Sequence, residues 1–81
     1  MKIEVLGTGC KKCKALEELT RAVIVELGIA AEVEHVSDLQ RIMGYGVMAT
    51  PALVINGAVR SAGRVPSPAE LKRWLQDNGG S

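Results

Sequence analysis

A small mixed α/β sheet with helices on both faces, in the order β-α-β-α-β-β-α, is the fold class this sequence predicts. Three observations carry it. Short alternating apolar runs interchange with stretches in which apolar residues recur at helical spacing. Asn56-Gly57 lies between two apolar runs and is the pair best suited to a two-residue hairpin turn. Ser67, Pro68 and Glu70 open the last helical stretch as a capping box with proline at the first helical position.

The elements follow in order. "KIEVL", Lys2–Leu6, alternates Ile3 and Val5 with Lys2 and Glu4 as a short strand does, and a Gly-Thr-Gly loop comes next. From about Cys10 the period changes: Leu16, Leu19, Val23 and Leu27 form one face of a helix, with Glu17, Glu18 and Arg21 opposite and Gly28 as its stop. Residues 30–36 read as a second strand. Ser37 followed by Gln40 predicts a capping box for a short helix ended by Gly44, with Leu39, Ile42 and Met43 facing a core. "YGVMATP" connects to the hairpin "ALVINGAVRSAG". The last helix runs from Ser67 to Gly79 and places Leu71, Trp74 and Leu75 inward. The first two strands are joined through a helix, so they are expected to run parallel, and the hairpin adds an antiparallel pair.

With 81 residues the expectation is one small domain spanning 1–81. An apolar fraction of 47% argues against disorder. Phe is absent, so Val, Leu, Ile, Ala and Met must build the core. A net charge of +1 supplies no field for nucleic acid or a membrane surface, and aromatic platforms for single strands are missing. The apolar run near Met1 is too short for a signal peptide, and nothing approaches membrane-spanning length. A cytoplasmic location is the expectation, where a close cysteine pair is more often catalytic or metal-binding than structural.

Cys10 and Cys13, in "GTGCKKCK", are the two cysteines of the chain. They can be a redox pair, a metal clamp or a staple. The staple is weakest, because closing so short a loop gains only about 2 kcal/mol. Cys10 falls between the first strand and the first helix, where the partial positive charge of a helix start favours a thiolate. Lys11, Lys12 and Lys14 add formal charge of the same sign. Such surroundings lower a cysteine pKa from about 8.5 toward 7 or below. At pH 7 the thiolate population then rises from roughly 3% to 50%, lower nucleophilicity takes part of this back, and Cys10 leaves more readily from a mixed disulfide. Cys13, inside the first helical turn, is expected to be more buried and to act as the resolving thiol. Pro51 sits before a strand. Local sequence alone favours a trans Thr50–Pro51 bond, since about 5–6% of X–Pro bonds in folded proteins are cis.

With Cys10, Cys13, Thr50-Pro51, the Asn56-Gly57 hairpin and the last helix in this order, the chain resembles the thioredoxin superfamily. It is most similar to small thioredoxin- or glutaredoxin-like redox-active disulfide proteins. "GTGCKKCK", "YGVMATPALVINGAV" and "SAGRVPSPAEL" carry the resemblance over nearly the whole chain. It implies a minimal thioredoxin-like fold, a four-stranded mixed sheet flanked by three helices. It implies a thiol–disulfide oxidoreductase with Cys10 attacking and Cys13 resolving, a cis bond before Pro51, and substrate binding through Thr50, Pro51 and the loop around Gly63. The redox centre is then the Cys10–Cys13 disulfide itself, with no other cofactor and no metal. The implied partners are a disulfide-containing protein and a recycling reductase, and the protein is expected to be a monomer. Some positions depart from the pattern. The central dipeptide is Lys11-Lys12, Gly9 stands where thioredoxin has tryptophan, and "SAGRVPSPAE" lacks the adjacent acids with which glutaredoxins hold glutathione.

Glu4 has the offset of the buried acid of thioredoxins, six residues before the first cysteine, and would there help move the Cys13 proton. The simpler reading, and the expectation adopted, is a solvated strand-end carboxylate opposite Lys2. His35 is expected to be an ordinary surface or core histidine, and Trp74 and Met48 core or loop filler. The alternative function is a soft-metal module that transfers copper or a heavy metal on the same two thiolates. Such modules run β-α-β-β-α-β, unlike the order read here. A third reading is an interaction domain with little activity, with Ile24 and Val25 as its partner surface.

Overall fold

The computed structural model describes residues 1–7 and 11–79. Its elements are β1 (Lys2–Leu6), α1 (Lys11–Leu27), β2 (Glu32–Val36), α2 (Leu39–Gly44), β3 (Ala52–Ile55), β4 (Ala58–Ala62) and α3 (Pro68–Gly79). The strands form one sheet in the order β2-β1-β3-β4. β1 pairs parallel with β2 and antiparallel with β3, and β3 pairs antiparallel with β4. This is the mixed four-stranded sheet with three helices that the sequence predicts.

The alternation along β1 and β3 divides the interior in two. On one face Ile3, Val5, Leu53 and Ile55 pack with Leu16 and Val23 of α1 and Leu71 and Leu75 of α3. On the other, Leu6, Val36, Ala52 and Val54 pack with Ile42 of α2, flanked by Tyr45 and Val47. α2 is six residues long and buries only Ile42. Leu39 and Met43, expected to face the core, are exposed, because so short a helix meets the sheet along a single line. Its N-cap is Asp38 and not Ser37: Asp38 Oδ1 accepts from the Gln40 N–H at 2.9 Å, at the position where a cap side chain reaches. β2 starts at Glu32 rather than residue 30, since the pairing with β1 begins at Lys2.

The stop signals act through backbone geometry. At the end of α1 Gly28 has φ +66°, its N–H reaches the Val25 carbonyl at 3.2 Å, and Ile29 N–H reaches that of Ile24 at 3.2 Å. This paired bonding satisfies carbonyls that the helix end leaves open. Ile24 and Ile29 both pack against the larger core. Ile24 is therefore a core contact and not the partner surface proposed for it with Val25, which is 80% exposed. In the hairpin Ile55 pairs with Ala58, and Asn56 and Gly57 both take positive φ, as a type I′ turn requires. The turn is also tied to β1: Lys2 N–H donates to Asn56 Oδ1 and Asn56 N–H to the Lys2 carbonyl.

At the start of α3 the capping box closes in both directions, with Glu70 N–H on Ser67 Oγ and Ser67 N–H on a Glu70 oxygen, each at 3.2 Å. Arg64 makes two further bonds to the same carboxylate at 3.0 Å, and its guanidinium lies 6.0 Å from the Trp74 ring centre. Arg64, and then the Ser67 N–H, hold the Glu70 carboxyl down at about 2, against an ordinary value of 4.5. A depressed carboxyl contributes stability that is present above its unfolded value and lost as pH falls through its folded one. Urea midpoints measured from pH 6 to pH 2 are therefore expected to fall below about pH 4.5. The stability advantage of the native chain over Glu70→Gln is expected to shrink across the same window. Parallel curves for the two proteins would rule the assignment out.

Candidate active site

Of the residues singled out by sequence, Cys13 and Thr50 both approach Gly7, where β1 runs out. Gly7 follows β1, and its N–H bonds to the Val36 carbonyl at 2.9 Å, one step beyond the paired residues of β2. A Cβ placed on Gly7 would run into Cys13 Sγ, and it would lie 3.2 Å from Cys13 Cβ and 3.9 Å from Thr50 Cβ. The Cys13 sulfur thus occupies the space a Gly7 side chain would need, and Thr50 also lies near it. Cys13 lies in the first turn of α1 and is fully buried, which agrees with the position expected of it. Cys10, Thr8 and Gly9 lie outside the described residues, so the expectations for Cys10 and its disulfide with Cys13 do too.

The Thr50–Pro51 peptide bond is cis. Thr50 is exposed and Pro51 fully buried. Gly63, with φ +80°, donates its N–H to the Pro51 carbonyl at 2.8 Å, and a Cβ there would sit 3.1 Å from Ala49 Cβ. Gly63 therefore lies against the Ala49–Pro51 segment, as Gly7 does against Cys13. Lys11, Lys12 and Lys14 are exposed at the start of α1. Met48, two residues before Thr50, is 98% exposed. A single apolar side chain in that position is outside either core, so the loop half of "core or loop filler" is the one that holds.

Glu4 differs from its expected place. It is not solvated and does not pair with Lys2; it is 5% exposed, on the α2 face of β1. Tyr45 Oη donates to Glu4 Oε1 at 2.6 Å, and Arg41 Nη2 to Oε2 at 3.1 Å. Arg41 also binds Glu34 at 3.0 Å, which leaves Lys2 to meet Glu34 at 3.6 Å. The Glu4 bond, with burial second, pushes the Tyr45 hydroxyl up, and Arg41 holds the Glu34 carboxyl down. Alternation placed Glu4 on the face away from Ile3 and Val5, but a four-stranded sheet covered on both sides has no solvated face at its centre. The partners, Arg41 and Tyr45, come from around α2, and no local pattern joins them to residue 4.

Gly7, Ala49 and His35 were not foreseen at the site. Two glycines flank Thr8, and one sequence does not say which of them would back a cysteine. The His35 Nε2 lies 3.0 Å from the Gly7 carbonyl oxygen and its Nδ1 3.5 Å from Glu17 Oε1.

A buried cysteine in the first turn of a helix, the end of the central strand and a cis proline at the start of the next make a constellation that sequence comparison can test. The thioredoxin domain family matches residues 1–76. The chain belongs to the thioredoxin family. It is 41% identical to a thioredoxin of Methanothermobacter thermautotrophicus over 75 residues, 93% of this chain and 97% of the relative. It is 35% identical to a thioredoxin of Methanocaldococcus jannaschii over 74 residues, 91% of this chain and 85% of that one. A probable thioredoxin of Methanothermobacter marburgensis is 35% identical over 81 residues, covering 95% and 94%. Thioredoxins are thiol–disulfide oxidoreductases, and the enzyme class follows with the membership. No described helix of this thioredoxin-family chain is long and apolar enough to cross a membrane.

Proposed function

We propose that the chain reduces or exchanges disulfides in partner proteins with Cys10 as the attacking thiol and Cys13 as the resolving one. The Cys10 thiolate attacks one sulfur of the partner disulfide, forms a mixed disulfide and expels the other partner sulfur as a thiolate. Cys13, giving up its proton, then attacks the Cys10 sulfur. The Cys10–Cys13 disulfide forms, the second partner thiolate leaves, and two electrons have passed to the partner. A recycling reductase returns them. The reaction runs in either direction according to the two potentials.

The observation that carries this reading is Cys13, buried in the first turn of α1 with its sulfur against Gly7. A resolving thiol needs shelter from outside disulfides and a fixed line of approach to its neighbour. The exposed Thr50 backbone, preceding a strand, is suited to pair with an extended partner segment, with Pro51 and Gly63 shaping the floor. Lys11, Lys12 and Lys14 supply positive potential for the Cys10 thiolate and for an acidic partner. Both oxygens of Glu4 are engaged by Arg41 and Tyr45, which supports a structural role for it over a proton relay to Cys13. A soft-metal module is less well supported, because α2 stands between β2 and β3, where the order β-α-β-β-α-β has no helix. The reading includes a cytoplasmic monomer.

The test is the redox midpoint of the metal-free protein, read as the mass shift after alkylation in graded dithiol–disulfide buffers. A reversible two-electron transition is expected, near −270 mV for a reductase or near −180 mV for an oxidant or isomerase, these being rough positions on the scale of known proteins. If no intramolecular disulfide forms over that range, the proposal fails.

A further inference from the structure

Beyond the cysteine motif, one ionisable side chain reaches the site from a neighbouring strand. The pairing of β1 with β2 ends at Leu6 and Val36. The Gly7 carbonyl lies past that ladder, and the His35 ring meets it: Nε2 is 3.0 Å from the Gly7 oxygen. Two successive residues of β2 thus hold Gly7, Val36 through the backbone N–H and His35 through the carbonyl. The other ring nitrogen, Nδ1, faces Glu17 Oε1 at 3.5 Å, on α1 one turn after Cys13. Glu17 is itself braced by Arg21, whose Nε donates to Oε2 at 3.1 Å. Arg21 reaches across to the Val33 carbonyl at 3.5 Å as well.

Glycine has no side chain with which to anchor itself and the widest backbone freedom of any residue. Here that residue forms the wall behind a sulfur, close enough that a Cβ would overlap it. We propose that His35 is a positioning residue for the resolving step: by donating Nε2–H to the Gly7 carbonyl it fixes the wall against which Cys13 Sγ sits. A carbonyl oxygen only accepts, so the proton of this bond is carried on Nε2. Sulfur must approach sulfur along a narrow line, and a misplacement on the order of 1 Å can cost about a hundredfold in rate. His35 acts through its bond to the Gly7 carbonyl. This assignment rests on the function proposed above.

The test compares His35→Ala, His35→Gln and the native chain in turnover of a protein disulfide, with alkylation of reduced Cys13 followed by mass spectrometry. For His35→Ala, kcat is expected to fall roughly three- to tenfold with KM unchanged, because the partner contacts at Thr50 and Pro51 stay intact. Cys13 alkylation is expected to quicken by a similar factor. His35→Gln places an amide N–H where Nε2 stood, and it restores both to within about twofold of the native values. Should His35→Ala not fold, His35→Leu fills the space without a donor and replaces it. Unchanged kcat and alkylation in the donor-less variant overturn the proposal, and so does an equal loss in His35→Gln. If the native chain itself turns over no disulfide, the proposed function fails, and the alkylation rates still decide whether His35 positions Cys13.

Discussion

Cys13→Ser is expected to turn a catalyst into a trap. Incubated with a disulfide-containing protein, the variant accumulates a mixed disulfide through Cys10, while steady-state reduction falls by at least about a hundredfold. The reason lies in the division of labour between the two sulfurs. The first attack needs only an accessible thiolate, the role proposed above for Cys10. Release needs a second sulfur held beside the first at high effective concentration, and Cys13, buried in the first turn of α1, is the residue proposed for it. A serine hydroxyl in its place is a far weaker nucleophile toward sulfur. Non-reducing electrophoresis and intact mass after partner incubation check the outcome, with Cys10→Ser as the control that traps nothing. If Cys13→Ser keeps near-native turnover without an external thiol, Cys13 is not the resolving thiol.

Gly7→Val is expected to lose roughly 1–3 kcal/mol of stability and to disturb Cys13 at the same time. Gly7 is not among the residues with positive φ, so the cost is one of space and not of backbone conformation. The added carbon meets the Cys13 sulfur, which cannot withdraw because α1 carries it in the first turn against the end of β1. For a chain of this size each 1 kcal/mol lowers Tm by about 4–8 °C. The damage should be greater with Cys13 present than in Cys13→Ala, where the smaller side chain leaves room for part of the valine. A double-mutant cycle measured by urea unfolding under reducing conditions reads that coupling directly. Gly44→Ala is the matching control, since nothing lies within 4 Å of a Cβ at that position in α2, and it should be neutral or slightly stabilising. Equal losses for Gly7→Val with and without the Cys13 sulfur would separate Gly7 from the site.

Where the sequence was read correctly, a residue announces its structure within a few positions. Asn56-Gly57 meets the positive-φ demand of a hairpin turn, Ser67 and Glu70 satisfy each other's N–H groups, and Gly28 ends α1 with φ +66°. Where it was misread, the deciding partner was remote or the segment short. Leu39 and Met43 have the right spacing for a buried face, yet a helix of six residues has too little length to bury more than Ile42. Ser37 and Gln40 fit a capping box by spacing, but Asp38 offers its carboxylate one position nearer to the helix. Glu4 reads as solvated beside Lys2 until α2 closes over it and brings Arg41 and Tyr45 from 37 and 41 residues away.

The sequence by itself determined the order and kind of the elements, the place of Cys13 in the first turn of the helix after the first strand, and the chemistry open to a cysteine pair. These are consequences of hydrophobic period, turn geometry and sulfur reactivity, all of which act over a few residues. Only the tertiary structure decided what stands around Cys13. Gly7, Thr50 and, through Gly7, His35 converge there from β1, the loop before β3 and β2, and the contacts between them depend on where the strands stop. A one-dimensional pattern can say that a strand ends, but sub-ångström spacing between segments is set by the packing of the whole sheet.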